Sequence, residues 1–100
     1  MLKYKLSEEA KEDLVRVYQW GVLQYGLQKA DNYFASFYEA FEQIALAPLS
    51  YPSVDYIRQG YRRKVRGVDN IYYRINDNIV EIMAVLGKQD AENLLQERNQ

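Results

Sequence analysis

The chain contains no cysteine and no histidine among its 100 residues. The first absence excludes disulfides and thiolate nucleophiles. Together they remove the usual zinc sites, every Ser-His or Cys-His arrangement and the commonest general base, so any enzyme here would have to work with Lys, Arg, Tyr, Asp or Glu. No cofactor and no metal is expected. Long apolar runs are also missing: Met1-Leu2-Lys3-Tyr4-Lys5 leads into no hydrophobic stretch, and no window approaches a membrane span. A cytoplasmic protein without membrane contact is expected. A formal charge of -1 and a pI near 5.4 argue against a nucleic-acid binder by bulk charge.

What is present is a hydrophobic content of 48%, with 14% aromatic residues, enough for one core and one domain over residues 1–100. The cations are clustered. Arg58, Arg62, Arg63, Lys64, Arg66 and Arg74 fall within seventeen residues. A local positive surface on an acidic chain points to an anionic partner. The plainer reading is an edge strand whose charges discourage sheet-to-sheet pairing. Alternation puts Arg62, Lys64 and Arg66 on one face.

Leu2, Tyr4 and Leu6 alternate with two lysines as a short half-buried strand does. Ser7 before Glu8-Glu9 reads as an N-cap with carboxylates in the first helical turn. Ala10, Leu14, Val17, Tyr18, Gly21 and Tyr25 form one apolar stripe, which Gly26 ends. A second stripe runs through Ala30, Tyr33, Phe34, Phe37, Phe41, Ile44 and Ala45 and stops at Ala47-Pro48. These helices form an antiparallel hairpin, and burial of its three phenylalanines contributes roughly 2 kcal/mol each. Residues 49–55 read as a loop. A strand from near Tyr61, a second through Ile71, Tyr73 and Ile75, an Asn76-Asp77-Asn78 turn and a third strand from Ile79 complete the pattern. In the last strand Val80, Ile82, Ala84 and Leu86 are expected on one face, and Ile79, Met83 and Val85 on the other, so the strand is either central and covered twice or waiting for a partner. The tail 91–100 reads as a short frayed helix.

Arg74 stands between apolar neighbours and needs a carboxylate or backbone partner, with Asp13, Glu81 and Asp90 as candidate carboxylates, or else lies at a binding groove. Trp20 lies off the first helical stripe, either as an interface anchor or packed on Leu23 and the turn.

In this order the segments resemble the RelE/ParE superfamily of bacterial toxins, and within it the ParE branch. The opening YKLSEEAKEDLVRVYQW carries Ala10, Asp13 and Leu14. The second helix closes on Leu46-Ala47-Pro48, IRQGYRRKVRG stands at a Gly-Tyr-Arg segment, NIYYRI at an Ile-Phe-Tyr-Arg strand, and AVLGKQD at the closing strand. The resemblance implies an α+β fold, an N-terminal β-strand and a long α-helical hairpin packed on a mostly antiparallel four-stranded sheet. It also implies a toxin of a type II toxin-antitoxin system that inhibits DNA gyrase through its A subunit and is neutralised by a co-expressed, DNA-binding, ParD-like antitoxin in a hetero-oligomer. DNA is then reached only through gyrase or the antitoxin, and the module serves plasmid or chromosome stability.

On that resemblance Arg58, Tyr61, Arg62, Arg63, Arg66 and Arg74 are the target-contacting residues, and Trp20, Met83 and Val85 lie under the antitoxin. The chain departs from the family at Asp69 and Gly87, near which relatives often carry histidine. Two alternatives stay open. One is a RelE-like mRNA interferase, whose chemistry would need clustered cations, for which Lys64, Arg66 and Arg74, and Lys88 and Arg98 in the closing segment, are available, plus an acid and a base. The other is a non-toxic module that only binds antitoxin.

Overall fold

The computed structural model describes residues 2–87 and 91–98. Seven elements follow one another: β1 (Lys3–Leu6), α1 (Glu8–Tyr25), α2 (Leu27–Leu46), β2 (Arg62–Arg66), β3 (Asp69–Asn76), β4 (Ile79–Gly87) and α3 (Ala91–Glu97). The sheet order is β1-β4-β3-β2, with β1 parallel to β4 and the other pairs antiparallel. This is the α+β arrangement expected from the sequence.

Local chemistry sets the element boundaries. Ser7 Oγ accepts the Ala10 N–H at 3.0 Å and caps α1, while its own hydroxyl donates to the Met83 carbonyl at 3.2 Å, so one residue starts the helix and ties it to β4. Gly26 alone separates the two helices at φ 88°, a conformation that favours glycine. The β3–β4 turn places Asp77 and Asn78 at φ 52° and 63°, the positive values a two-residue hairpin needs.

The sheet is covered on both faces. On one, Leu14, Phe37, Phe41 and Ile44 of the helical hairpin pack on Ile71, Tyr73, Val80, Ile82 and Val85. On the other, Val54, Ile57 and Tyr61 of the long connection and Leu95 of α3 close over Tyr72, Met83, Ala84 and Leu86.

The simple alternation expected for β4 fails within the strand. Tyr72 pairs with Ala84 but Tyr73 pairs with Ile82, so Met83 is the extra residue of a β-bulge. Val80 and Ile82 face the helices before the bulge, and Val85 does so after it. Met83, Ala84 and Leu86 therefore share the opposite core. A one-residue shift in a period-two strand exchanges the faces of everything beyond it.

Candidate partner-binding surface

Strand β2 is a sheet edge, and its cations divide between two sides. Arg66 Nε donates to Ser36 Oγ of α2 at 2.9 Å, the Lys64 ammonium sits 4.5 Å from the Tyr51 ring centre, and Arg62 donates to the Tyr51 carbonyl at 2.6 Å. Lys64 and Arg66 border a polar groove between β2 and α2 that also takes in Ser36, Glu39 and Gln43. Arg63 instead faces the Tyr72 and Tyr56 hydroxyls of the opposite side, and although burial pulls its pKa down, these hydroxyls raise it. All four residues are partly buried.

Other residues expected in the target-contacting patch have internal work. Tyr61 is 2% exposed inside the second core. Arg74 Nε donates to Glu81 Oε1 at 2.7 Å, and Lys5 approaches the same carboxylate at 3.2 Å. The Arg74 hydrogen bond holds the Glu81 carboxyl below its ordinary range. Of the three carboxylates considered for Arg74, Glu81 is the partner, which makes Arg74 structural. Asp90 and Lys88 lie outside the described residues. Arg58 donates to the Leu95 and Arg98 carbonyls at the end of α3, a cation satisfying a helix C-terminus.

Met83 and Val85 are also corrected, since both are buried and neither is available to a partner. Met83 lies beneath α3 and the 54–61 segment, and Val85 faces the helices with its N–H donated to Asp13 Oδ2 at 2.9 Å. Trp20 is 49% exposed and stacks edge-on against Tyr25 at 5.7 Å, next to the helical turn. Around it Leu23, Tyr25 and Leu27 are exposed as well, so the hairpin tip carries a cluster of uncovered apolar side chains, while Leu46, Leu49 and Tyr56 are exposed elsewhere.

Asp69, the first departure from the family pattern, is buried beside Tyr33. The Tyr33 hydroxyl lies 2.9 Å from the Arg66 carbonyl and 3.0 Å from Asp69 Oδ2. A hydroxyl carries one proton, so both bonds form together only when the Asp69 carboxyl is itself protonated. Burial pushes the Asp69 carboxyl up, and burial with the neighbouring Asp69 charge pushes Tyr33 up to about 12. Burial also takes Tyr73, whose hydroxyl donates to the Pro48 carbonyl at 2.5 Å, up to about 12.

The sequence reading missed the anchor of α3. Arg98 makes a two-pronged pair with buried Asp13, both bonds 2.7 Å, and reaches Glu9 at 3.1 Å. Nothing in the polar composition of residues 91–98 announces this, because the partner carboxylate lies 85 residues earlier. Among the described residues no group of three or more acidic side chains is placed to hold a metal ion, and no helix is long and apolar enough to cross a membrane.

Comparison with known proteins agrees with this architecture. Residues 4–92 match the family model described as ParE toxin of type II toxin-antitoxin system, parDE. The chain is 33% identical over 86 residues to Toxin ParE1 of Caulobacter vibrioides, covering 86% of this chain and 88% of that protein. It is 26% identical over 85 residues to Toxin ParE1 of Mycobacterium tuberculosis, covering 84% and 87%. A solved structure described as the chromosomal ParDE TA system from P. aeruginosa superposes with a TM-score of 0.75 at 20% identity, over 87% of this chain and 96% of that one, and shares the fold. With the family model spanning β1 to the start of α3, the chain belongs to the ParE toxins of type II toxin-antitoxin systems.

Proposed function

We propose that this chain is a non-catalytic, cytoplasmic toxin that inhibits DNA gyrase by binding its A subunit, and that a ParD-like antitoxin neutralises it. The observation that carries the reading is the cationic edge strand: Arg62, Arg63, Lys64 and Arg66 lie within five residues on β2, each only partly buried, with Arg62, Lys64 and Arg66 held by contacts of their charged heads to Tyr51 and Ser36. An acidic protein surface is the complementary partner, and steering by such a patch raises the encounter rate.

RNA cleavage has less support. Transfer of the 2′-hydroxyl proton needs a group that titrates near the working pH. Tyr33 and Tyr73 are pushed up to about 12, Glu81 is held low by Arg74, and Asp13 is paired with Arg98. The chain supplies charge to stabilise a phosphate but offers little to move a proton.

The test is a supercoiling assay with purified gyrase and relaxed plasmid, run beside a ribosome-dependent mRNA cleavage assay. The expected result is loss of supercoiling, accumulation of linear DNA and intact mRNA. Cut mRNA with normal supercoiling would move the chain to the interferase branch. Inertness in both, with healthy cells on induction, would leave an antitoxin-binding module.

A further inference from the structure

The helical hairpin contains a feature that its own packing does not require. Gly21 lies inside α1, where glycine is disfavoured because it gives the unfolded chain more freedom and contributes no side chain. Close helix approach is the ordinary reason to tolerate it. Here a Cβ at Gly21 would meet only Ala30, at 3.5 Å from its Cβ, an ordinary van der Waals contact. The backbone at Gly21 needs no positive φ. Alanine would therefore fit.

What the missing side chain leaves is a notch of about 290 Å³ between the hairpin and the β2–β3 turn, lined by Gly21, Tyr25, Ala30, Tyr33, Val68 and Lys29. That volume is at the bottom of the range for small-molecule sites and suits a single bulky side chain. The Tyr33 hydroxyl is engaged by Arg66 and Asp69, so the ring presents mainly its apolar surface. Tyr25 and Val68 are 60% and 65% exposed, and Trp20 stacks on Tyr25. A half-open apolar seat ringed by exposed apolar groups has the anatomy of an interface anchor point. Lys29 is the one charged residue in the lining.

We propose that this notch is the anchor site for the antitoxin, taking one leucine or aromatic side chain from an amphipathic helix whose carboxylate, one turn away, pairs with Lys29. A cation with no carboxylate partner among the described residues, beside an apolar seat, favours an acidic segment over a basic one. The i, i+4 spacing of a helix puts an apolar anchor and a carboxylate on the same face. This assignment rests on the antitoxin reading given above, and it makes Gly21 a recognition residue retained against helix stability.

The experiment uses the full chain and the protein encoded by the reading frame directly upstream of its own, with affinity and thermal stability measured in parallel. Gly21→Ala is expected to raise the melting temperature while weakening binding. Gly21→Leu, which fills the notch, is expected to weaken it roughly tenfold or more. Lys29→Glu should weaken binding and Lys29→Arg should retain it. Unchanged affinity in the Gly21→Ala and Gly21→Leu proteins, each with native circular dichroism, would overturn the site. Failure of the upstream protein to bind the native chain would remove the antitoxin reading, and the notch's occupant with it. Binding that follows only the Lys29 charge would overturn the anchor and reduce the surface to electrostatic contact.

Discussion

At the scale of single residues, two buried carboxyls carry opposite signs of pH dependence. Asp69 is shifted up by burial from 3.8. The folded chain binds its proton more tightly than the unfolded chain, so its contribution is complete below the unfolded value and is lost as pH rises through the folded one. Glu81 is shifted down from 4.5 by Arg74. Its contribution is present above the unfolded value and is lost as pH falls through the folded one. Urea midpoints measured between about pH 2 and pH 7 should therefore separate two variants. Asp69→Asn should gain on the native chain as pH rises, because its amide can donate to Tyr33 without carrying charge. Glu81→Gln should show its largest deficit near neutrality and approach the native chain in acid. Parallel profiles for both variants would contradict the assignment.

At the scale of elements, α3 is attached by few interactions of unusual quality. Leu95 is fully buried in the second core, Arg58 holds the last carbonyls of α3, and Arg98 is paired with Asp13. Asp13 is 5% exposed and also accepts the Val85 N–H, so the same carboxylate joins α1, β4 and the end of α3. Removing a charged partner leaves the other partly desolvated. Arg98→Ala is expected to cost about 2–3 kcal/mol, less than breaking an isolated buried pair because Arg16 and the Val85 N–H remain. Denaturation midpoints give the magnitude, and hydrogen exchange should show the β4 amides beneath α3 losing protection. A loss below about 0.5 kcal/mol would identify the pair as an ordinary surface bridge. The bulge at Met83 acts at this scale too, since it lets β4 satisfy two cores whose positions a regular strand would have exchanged.

At the scale of the whole molecule, the two candidate surfaces have different linings and adjoin at Tyr33 and Arg66. The notch lies between the hairpin tip and the β2–β3 turn, and the cationic heads lie along edge strand β2. Charge reversal by Arg63→Glu with Lys64→Glu is expected to abolish gyrase inhibition while antitoxin affinity changes less than about threefold, near the range of a rim charge. Lys64→Glu should shift folding by about 1 kcal/mol at most, since it gives up its contact with Tyr51. Arg63→Glu also gives up the Tyr72 and Tyr56 hydroxyls, so the folded state of the double variant is checked by circular dichroism. Equal loss of both activities would mean one shared surface. Much of this architecture was legible in the residues themselves. The Ser7 cap, the glycine between two apolar stripes and the Asn-rich turn are local signals, each acting within a few positions where backbone propensity dominates. Composition likewise excluded thiol and imidazole chemistry, because absent side chains cannot be supplied by folding. Three things needed the tertiary structure. Arg74 had three candidate carboxylates, and strand register selected Glu81. Met83, Val85 and Tyr61 could not be told from exposed contacts until a bulge and a covering helix had buried them. Gly21 read as one more position on a helical stripe, and became a notch only when β2 and β3 were folded against the hairpin. Each depends on which distant segments meet, and that is decided by the packing of the whole chain rather than by the preferences of any one stretch.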